Sequence, residues 1–335
     1  VYDPRTHRTE RLAKQGIPSR ICSICRDGNR IWFGTRQGLY CIDSETLELR
    51  RYGMLEKPQG ISDPNVYMIF RTVSGDMLFG TTLGIFRYDR EADDFVSIPI
   101  FDGIFPTCAA EDPAEKGVIW ISTYANGVYR WDSNAGDKLV NYTSSSGSGL
   151  KNDKIASVFI DKSSRVWAVG FSIGLACFDS SDGTFDIFDR QNVPVLGSDV
   201  FFKAVEDSKG RMWLASDNGL VEFDPDSGGG YVYTLTDGLL DLKFTNSAFR
   251  SSSGDMYFGS DNGFVRLNPE TLPISPSPPS IVLSSMKIGD EEAHFGENID
   301  LVSEIVLEHD RNSFGFNFSL LGLSAPMSSH ALDMA

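Results

Sequence analysis

Histidine is scarce in this chain of 335 residues: His7, His294, His309 and His330 stand far apart, and none falls in a His-Glu-x-x-His arrangement. Zinc hydrolases that rest on that helix-borne pair are therefore excluded. Also missing are a Gly-x-Ser-x-Gly elbow and a Gly-rich phosphate loop, so acyl transfer by an elbow serine and P-loop nucleotide chemistry have no footing. Five cysteines are present, Cys22, Cys25, Cys41, Cys108 and Cys177, an odd number that leaves at least one unpaired. The Cys22-Ser-Ile-Cys25 spacing lies in a strand-like run, where residues three apart point to opposite faces, and no second Cys/His pair stands at zinc spacing. A packed, inert role is expected for all five. There is no apolar run of roughly 18 residues or more, so this segment holds no transmembrane helix. Its first residues show no leader pattern, and no compartment is read from a targeting signal.

Basic charge is also in deficit. Lys and Arg number 30 against 46 Asp and Glu, a net charge of −16, and no Lys/Arg stripe interrupts it. Such a surface repels phosphate backbones and anionic membranes, so nucleic acid is not an expected partner. The acidic turns Asp161-Lys-Ser-Ser-Arg165 and Asp207-Ser-Lys-Gly-Arg211 lack the alternating oxygen ligands of a calcium loop and read as plain turns. No metal or cofactor is expected.

What the sequence does have is a repeat. Ile31-Trp-Phe-Gly-Thr-Arg-Gln-Gly-Leu-Tyr-Cys-Ile-Asp43 recurs as Met77-Leu-Phe-Gly-Thr-Thr-Leu-Gly-Ile-Phe-Arg-Tyr-Asp89. Four further copies begin at Ile119, Val166, Met212 and Met256. Their turn glycines, Gly38, Gly84, Gly127, Gly174, Gly219 and Gly263, are spaced 46, 43, 47, 45 and 44 residues apart. Within each copy, β-branched and aromatic residues make two strands around a turn whose glycine tolerates positive φ. An apolar stretch precedes each pair, as in Ile155–Ile160, and another follows, as in Phe185–Phe188. Four strands at this period make a β-propeller blade, and the fold expected is all-β. The aromatic at the second motif position, Trp32, Trp120, Trp167, Trp213 or Tyr257, is expected between blades as core, with sugar stacking the weaker reading. Val1-Tyr-Asp-Pro4 and Thr9–Leu12 resemble the end of a blade, which suggests seven blades with the first incomplete.

The expected organisation is a propeller over 1–272, a linker over 273–280 and a second β domain over 281–335. Pro273, Pro276, Pro278 and Pro279 stiffen the linker. Strands are expected at Ile281–Ile288, Ile305–Leu307 and Ser313–Ser319, the last with alternating phenylalanines.

The repeat, with its Trp-x-Gly/x-Thr/Ser turn followed by Gly-Leu/Val and an aromatic-Asp, resembles the two-component regulator propeller repeat. The tail, from Ile305-Val-Leu-Glu-His-Asp-Arg-Asn-Ser-Phe-Gly-Phe-Asn-Phe318 through Pro326 to Ala331–Met334, resembles the opening of the Ig-like Y_Y_Y domain that follows such propellers. The resemblance implies the periplasmic sensor region of a hybrid two-component histidine kinase of the Bacteroidetes type. That in turn implies an oligosaccharide ligand, transmembrane and kinase parts outside this segment, and a homodimer through the Y_Y_Y region. No enzymatic role is expected of the segment itself. A propeller glycosidase or lyase and a protein-interaction scaffold stand as alternatives; Asp207-x-x-Gly-x-x-Trp213 comes within one residue of a sialidase Asp-box.

A ligand is expected on the face where second-to-third strand turns meet the loops between blades. Candidate turn residues are Tyr124 and Phe171, each in a turn lengthened by one residue, with Arg36, Asn126, Asp217, Asn218, Asp261 and Asn262. Asn65, Lys151, Asn152 and Asn246 join them from the loops. Aromatic faces and planar amides or carboxylates suit stacking on, and hydrogen bonding to, a carbohydrate, although Asp-Asn-Gly is also what a hairpin turn wants for backbone reasons.

Overall fold

The structure is a computed structural model that describes residues 2–3, 8–9, 16–18, 20–52, 65–272, 280–289, 291–294, 299, 302, 304–307, 313–321 and 333–334. The linker prolines, His7, His309, His330 and Pro326 lie outside the described residues. Two compact units are present: Val1–Glu270 with Ser329–Ala335, and Thr271–Ser328.

The first unit is a β-propeller. Six four-stranded antiparallel sheets follow one another, the first five with their strands paired in chain order. Their first strands are Ile21–Asp27, Val66–Arg71, Pro106–Glu111, Ile155–Ile160, Phe201–Glu206 and Phe244–Arg250, and each of the first five contacts the first strand of the next blade. Ahead of blade 1 lies a two-stranded ribbon, Tyr2–Asp3 with Arg8–Thr9. The sixth repeat supplies only three strands of its own. Its outer edge, Gly263–Leu267, pairs instead with Asp333–Met334, residues that the sequence reading placed in the tail. Between Asn268 and Ser280 the sequence carries Pro269, Pro273, Pro276, Pro278 and Pro279, none of which has an N–H to offer a ladder.

Between consecutive blades lie the cores. Trp32, Leu39 and Cys41 of blade 1 pack on Val66, Phe79 and Phe95 of blade 2. Blades 3 and 4 meet through Trp120, Val128, Ile155 and Val158, and blades 4 and 5 through Trp167, Leu175, Phe201 and Phe223. The four motif tryptophans are at most 1% exposed, whereas Tyr257 is half-buried. An aromatic ring buried to this degree is worth about 4–6 kcal/mol of transfer free energy before ordering costs.

The second unit has a three-stranded sheet, in the order Glu291–Glu292, Ser280–Ile288, Phe314–Leu321. Ile305–Leu307, expected as a strand, is not one: Val306 is 83% exposed, and three apolar residues without a ladder partner do not hold extended pairing.

Candidate functional site

Meander topology puts the second-to-third strand turns and the blade-to-blade loops at one end of the sheets, and hydrogen bonds lock them together. Tyr124 N–H donates to the Phe105 carbonyl (3.0 Å) and Phe171 N–H to that of Lys154 (3.0 Å). Gly127, Gly174 and Gly219 donate to Asp153, Asp199 and Leu242 at 2.9, 3.0 and 2.9 Å. The Thr/Ser of the motif braces the turn from inside. Thr123 Oγ1 donates to the Gly127 carbonyl (2.8 Å) and accepts from Asn126 N–H (2.9 Å). Thr35 and Ser216 do the same across Gly38 and Gly219. Rigid turns of this kind present side chains outward without a large ordering cost on binding.

A second device aims residues at this end. Every first strand changes register at its start: Cys22, Tyr67, Thr107, Ala156 and Phe202 are extra residues opposite the second strand, and blade 6 has a wider irregularity over Thr245 to Ser247. Such bulges bend a strand and redirect the bulged side chain. Two blades place aromatics there. Tyr67 packs on Phe105 of the next loop (ring centroids 4.5 Å apart), and Phe105 stacks on Tyr124 (5.4 Å, 27° between planes). Arg36 closes one end of the row, its guanidinium 5.9 Å from the Tyr67 ring; Lys154 closes the other, 5.8 Å from the Tyr124 ring. Phe171 meets Phe202 edge-to-face at 5.7 Å. Tyr124 is 48% exposed and Phe171 38%.

The sequence candidates therefore separate into groups. Arg36 and Tyr124 belong to the aromatic and cationic row, and Phe171 to a separate aromatic pair with Phe202. The other turn candidates, Asn126, Asp217, Asn218, Asp261 and Asn262, are exposed, but two of them are already engaged: Asp217 accepts from Ser198 Oγ (2.7 Å), and Asn262 Nδ2 donates to Asp241 (3.1 Å). Among the loop candidates, Lys151 is ion-paired with Asp189, whose carboxyl is held below its usual range first by that hydrogen bond. Asn152 Oδ1 accepts from Lys154 N–H (2.9 Å), Asn65 is half-buried and Asn246 exposed. Sequence reasoning missed Tyr67, Phe105, Phe202 and Lys154. A usable signal existed: at the second position of the first strand, two blades carry an aromatic where the others carry Cys, Thr or Ala.

Chemically, the row offers π-faces between two cations, which suits a ring-bearing polar ligand held by stacking and hydrogen bonds. Among the described residues, no three His, Cys, Asp or Glu side chains converge as a metal site. No helix among them is long and apolar enough to cross a membrane.

No family model matches the chain. Among curated proteins it is similar to Histidine kinase P4 of Formosa agariphila, 22% identical, over 70% of this chain and 21% of that one. Its structural neighbours include an extracellular domain assigned to a hybrid two-component system of B. thetaiotaomicron (20% identical, TM-score 0.61, 76% of this chain and 32% of that one). A second such domain from the same organism is 23% identical, with TM-score 0.59 and coverage of 90% and 47%. The WD40 β-propeller domain of Doa1 also matches (14%, TM-score 0.53, 72% and 76%). These likenesses establish the propeller fold. The chain spans about a fifth of the curated kinase and less than half of each extracellular domain.

Proposed function

We propose that this chain is the ligand-sensing part of a hybrid two-component histidine kinase, displayed on the periplasmic side of the inner membrane, and that the turn-bearing face of its propeller takes an oligosaccharide. The observation that carries this reading is the continuous row Arg36, Tyr67, Phe105, Tyr124, Lys154, drawn from blades 1 to 3 and the loops that follow blades 2 and 3. Stacking platforms on braced turns are what a sugar ring needs: the aromatic face covers its C–H side while amides and carboxylates at the rim bind its hydroxyls. The likeness to extracellular domains of two-component systems supports the signalling half of the proposal. Phosphotransfer would belong to parts of the protein outside this segment.

The test is isothermal titration and thermal shift against a panel of neutral and acidic oligosaccharides, since a ligand that binds only the folded state raises the melting temperature. Tyr124→Ala and Phe171→Ala should each weaken binding by about tenfold, the loss of roughly 1.4 kcal/mol of stacking, with melting temperature unchanged. Wild-type affinity in the double variant would sink the assignment. Cleaved sugar in the titration mixture would point to a glycosidase instead.

A further inference from the structure

Cys108 departs from the other cysteines. In Cys22, Cys25, Cys41 and Cys177 burial dominates and pushes the thiol up, to about 11 for Cys41 and about 12 for Cys177. Cys108 goes the other way. Burial alone would raise it too, but the charge of Lys203 and hydrogen bonds from Ser157 and Lys203 outweigh burial and hold the thiol below its ordinary range. The geometry is specific. Lys203 Nζ donates to Cys108 Sγ at 3.1 Å across 95 residues of sequence. Cys108, Ser157 and Lys203 are the third residues of the first strands of blades 3, 4 and 5, each the first to pair after its bulge. Three consecutive blades thus bring a thiol, a hydroxyl and an ammonium to one point. The Val158 and Ala109 carbonyls lie 3.6 and 3.8 Å from the sulfur and can accept from the thiol in its protonated form, while the Val158 backbone hydrogen bond adds to the lowering. Cys108 and Lys203 are both half-buried residues.

We propose that Cys108 is a nucleophilic thiolate held by Lys203, and that it is a modification site for small electrophiles, in particular hydroperoxides. This goes beyond the oligosaccharide reading and does not depend on it. The inert role expected for this cysteine fails on one feature, an ammonium group within hydrogen-bond distance of the sulfur. Thiolates beside fixed cations are the reactive ones, while buried thiols in apolar surroundings are not. In the step itself, the Cys108 thiolate attacks one peroxide oxygen and an S–O bond forms as the O–O bond breaks. Sulfur loses two electrons to the peroxide, and the departing hydroxide takes a proton from the Lys203 ammonium and leaves as water. The products are a sulfenic acid on Cys108 and a neutral Lys203, which regains its proton from solvent. The charge-assisted contact that ties blade 3 to blade 5 is lost in that step.

The experiment is alkylation of the folded protein with iodoacetamide from pH 6 to 9, each cysteine followed by peptide mass spectrometry. A parallel sample receives hydrogen peroxide and dimedone, which traps sulfenic acid. At pH 7 Cys108 should alkylate about tenfold faster than any other cysteine, since each pKa unit is a factor of ten in thiolate, and it should carry the dimedone adduct. Lys203→Met should move the pH midpoint of Cys108 labelling upward, and Lys203→Arg, which keeps the charge, should leave it low. Cys108 unlabelled in the folded protein, or a midpoint indifferent to Lys203→Met with the thermal melt unchanged, would overturn the proposal.

Discussion

The motif tryptophans show how far one residue type can differ between equivalent sites. Trp167 Nε1 donates to Asp161 (2.9 Å) and Trp213 Nε1 to Asp207 (3.2 Å); each carboxylate is 1% exposed and also receives the Nε of Arg165 or Arg211. The indoles of Trp32 and Trp120 are equally buried, yet their N–H groups have no partner. For Trp32 the cause is the preceding turn. Asp27-Gly-Asn-Arg30 is one residue shorter, and the Asp27 carboxylate goes to Arg71 and Arg90 instead. An orphaned buried donor costs about 1–3 kcal/mol, so Trp32→Phe removes a penalty as well as ring volume, while Trp213→Phe loses volume and strands a carboxylate lone pair. Urea denaturation should show Trp213→Phe destabilising by about 1–2 kcal/mol more than Trp32→Phe. Equal losses would mean that ring volume alone decides. The sequence displayed these tryptophans plainly and located the Asp161 and Asp207 turns. What it concealed was that an aspartate six residues before the tryptophan turns inward to hold the indole.

Strands, turns and their order were legible because the side chains that make them recur every 43 to 47 residues. The bulges were not. An extra residue leaves the apolar pattern of a short strand nearly unchanged and shows itself only in which N–H meets which C=O. That is why Tyr124 and Phe171 were singled out, from turns one residue too long, while Tyr67 and Phe202, aimed by bulges, were not. The isolated apolar triplet Ile305–Leu307 misled in the opposite sense, since periodicity without a partner makes no strand. The long turns also carry a prediction. Gly174 sits at φ +67°, and a Cβ there would lie 2.1 Å from the Phe188 carbonyl oxygen; Gly183 has φ +77° with nothing within 4 Å. Gly183→Ala should cost about 1–2 kcal/mol, the left-handed backbone penalty, and Gly174→Ala a further 1–3 kcal/mol, approximately, because a strand must move. Chemical denaturation checks the difference, and only Gly174→Ala should also disturb binding through Phe171. Equal costs would show that the outer strand yields freely.

At the scale of the molecule two electrostatic effects oppose each other as pH falls. The net charge of −16 repels itself, and that repulsion fades toward the isoelectric point near 4.6, which stabilises the folded chain. Against it stand carboxylates that bind one part of the propeller to another. Asp27 of blade 1, 6% exposed, is held by Arg90 (2.6 Å) and Arg71 (3.3 Å) of blade 2, and the hydrogen bond from Arg90 keeps its carboxyl below the ordinary range. For Asp93 and Asp255 burial acts to raise the carboxyl. It is outweighed for Asp93 by Tyr88, Tyr52 and Arg50, and for Asp255 by Arg266 and Asn268. A group whose folded pKa is depressed contributes stability that is fully present above its unfolded value, about 4, and lost as pH drops through the folded value. Glu206 works in reverse: burial raises its carboxyl, so its protonation on acidification favours the folded state, but it is one group against several. The melting temperature should therefore rise slightly from pH 7 to about 5 and then fall steeply below about 4, where relief of repulsion has ended and the held aspartates are titrating. Scanning calorimetry at constant ionic strength at pH 7, 5, 4 and 3 gives the curve. Asp27→Asn should lower the melting temperature at pH 7 and flatten the acid limb, because the stability it removes is the part that protonation would have taken. A melting temperature that keeps climbing down to pH 3 would mean that self-repulsion, and not the pairs between blades, governs how this propeller responds to acid.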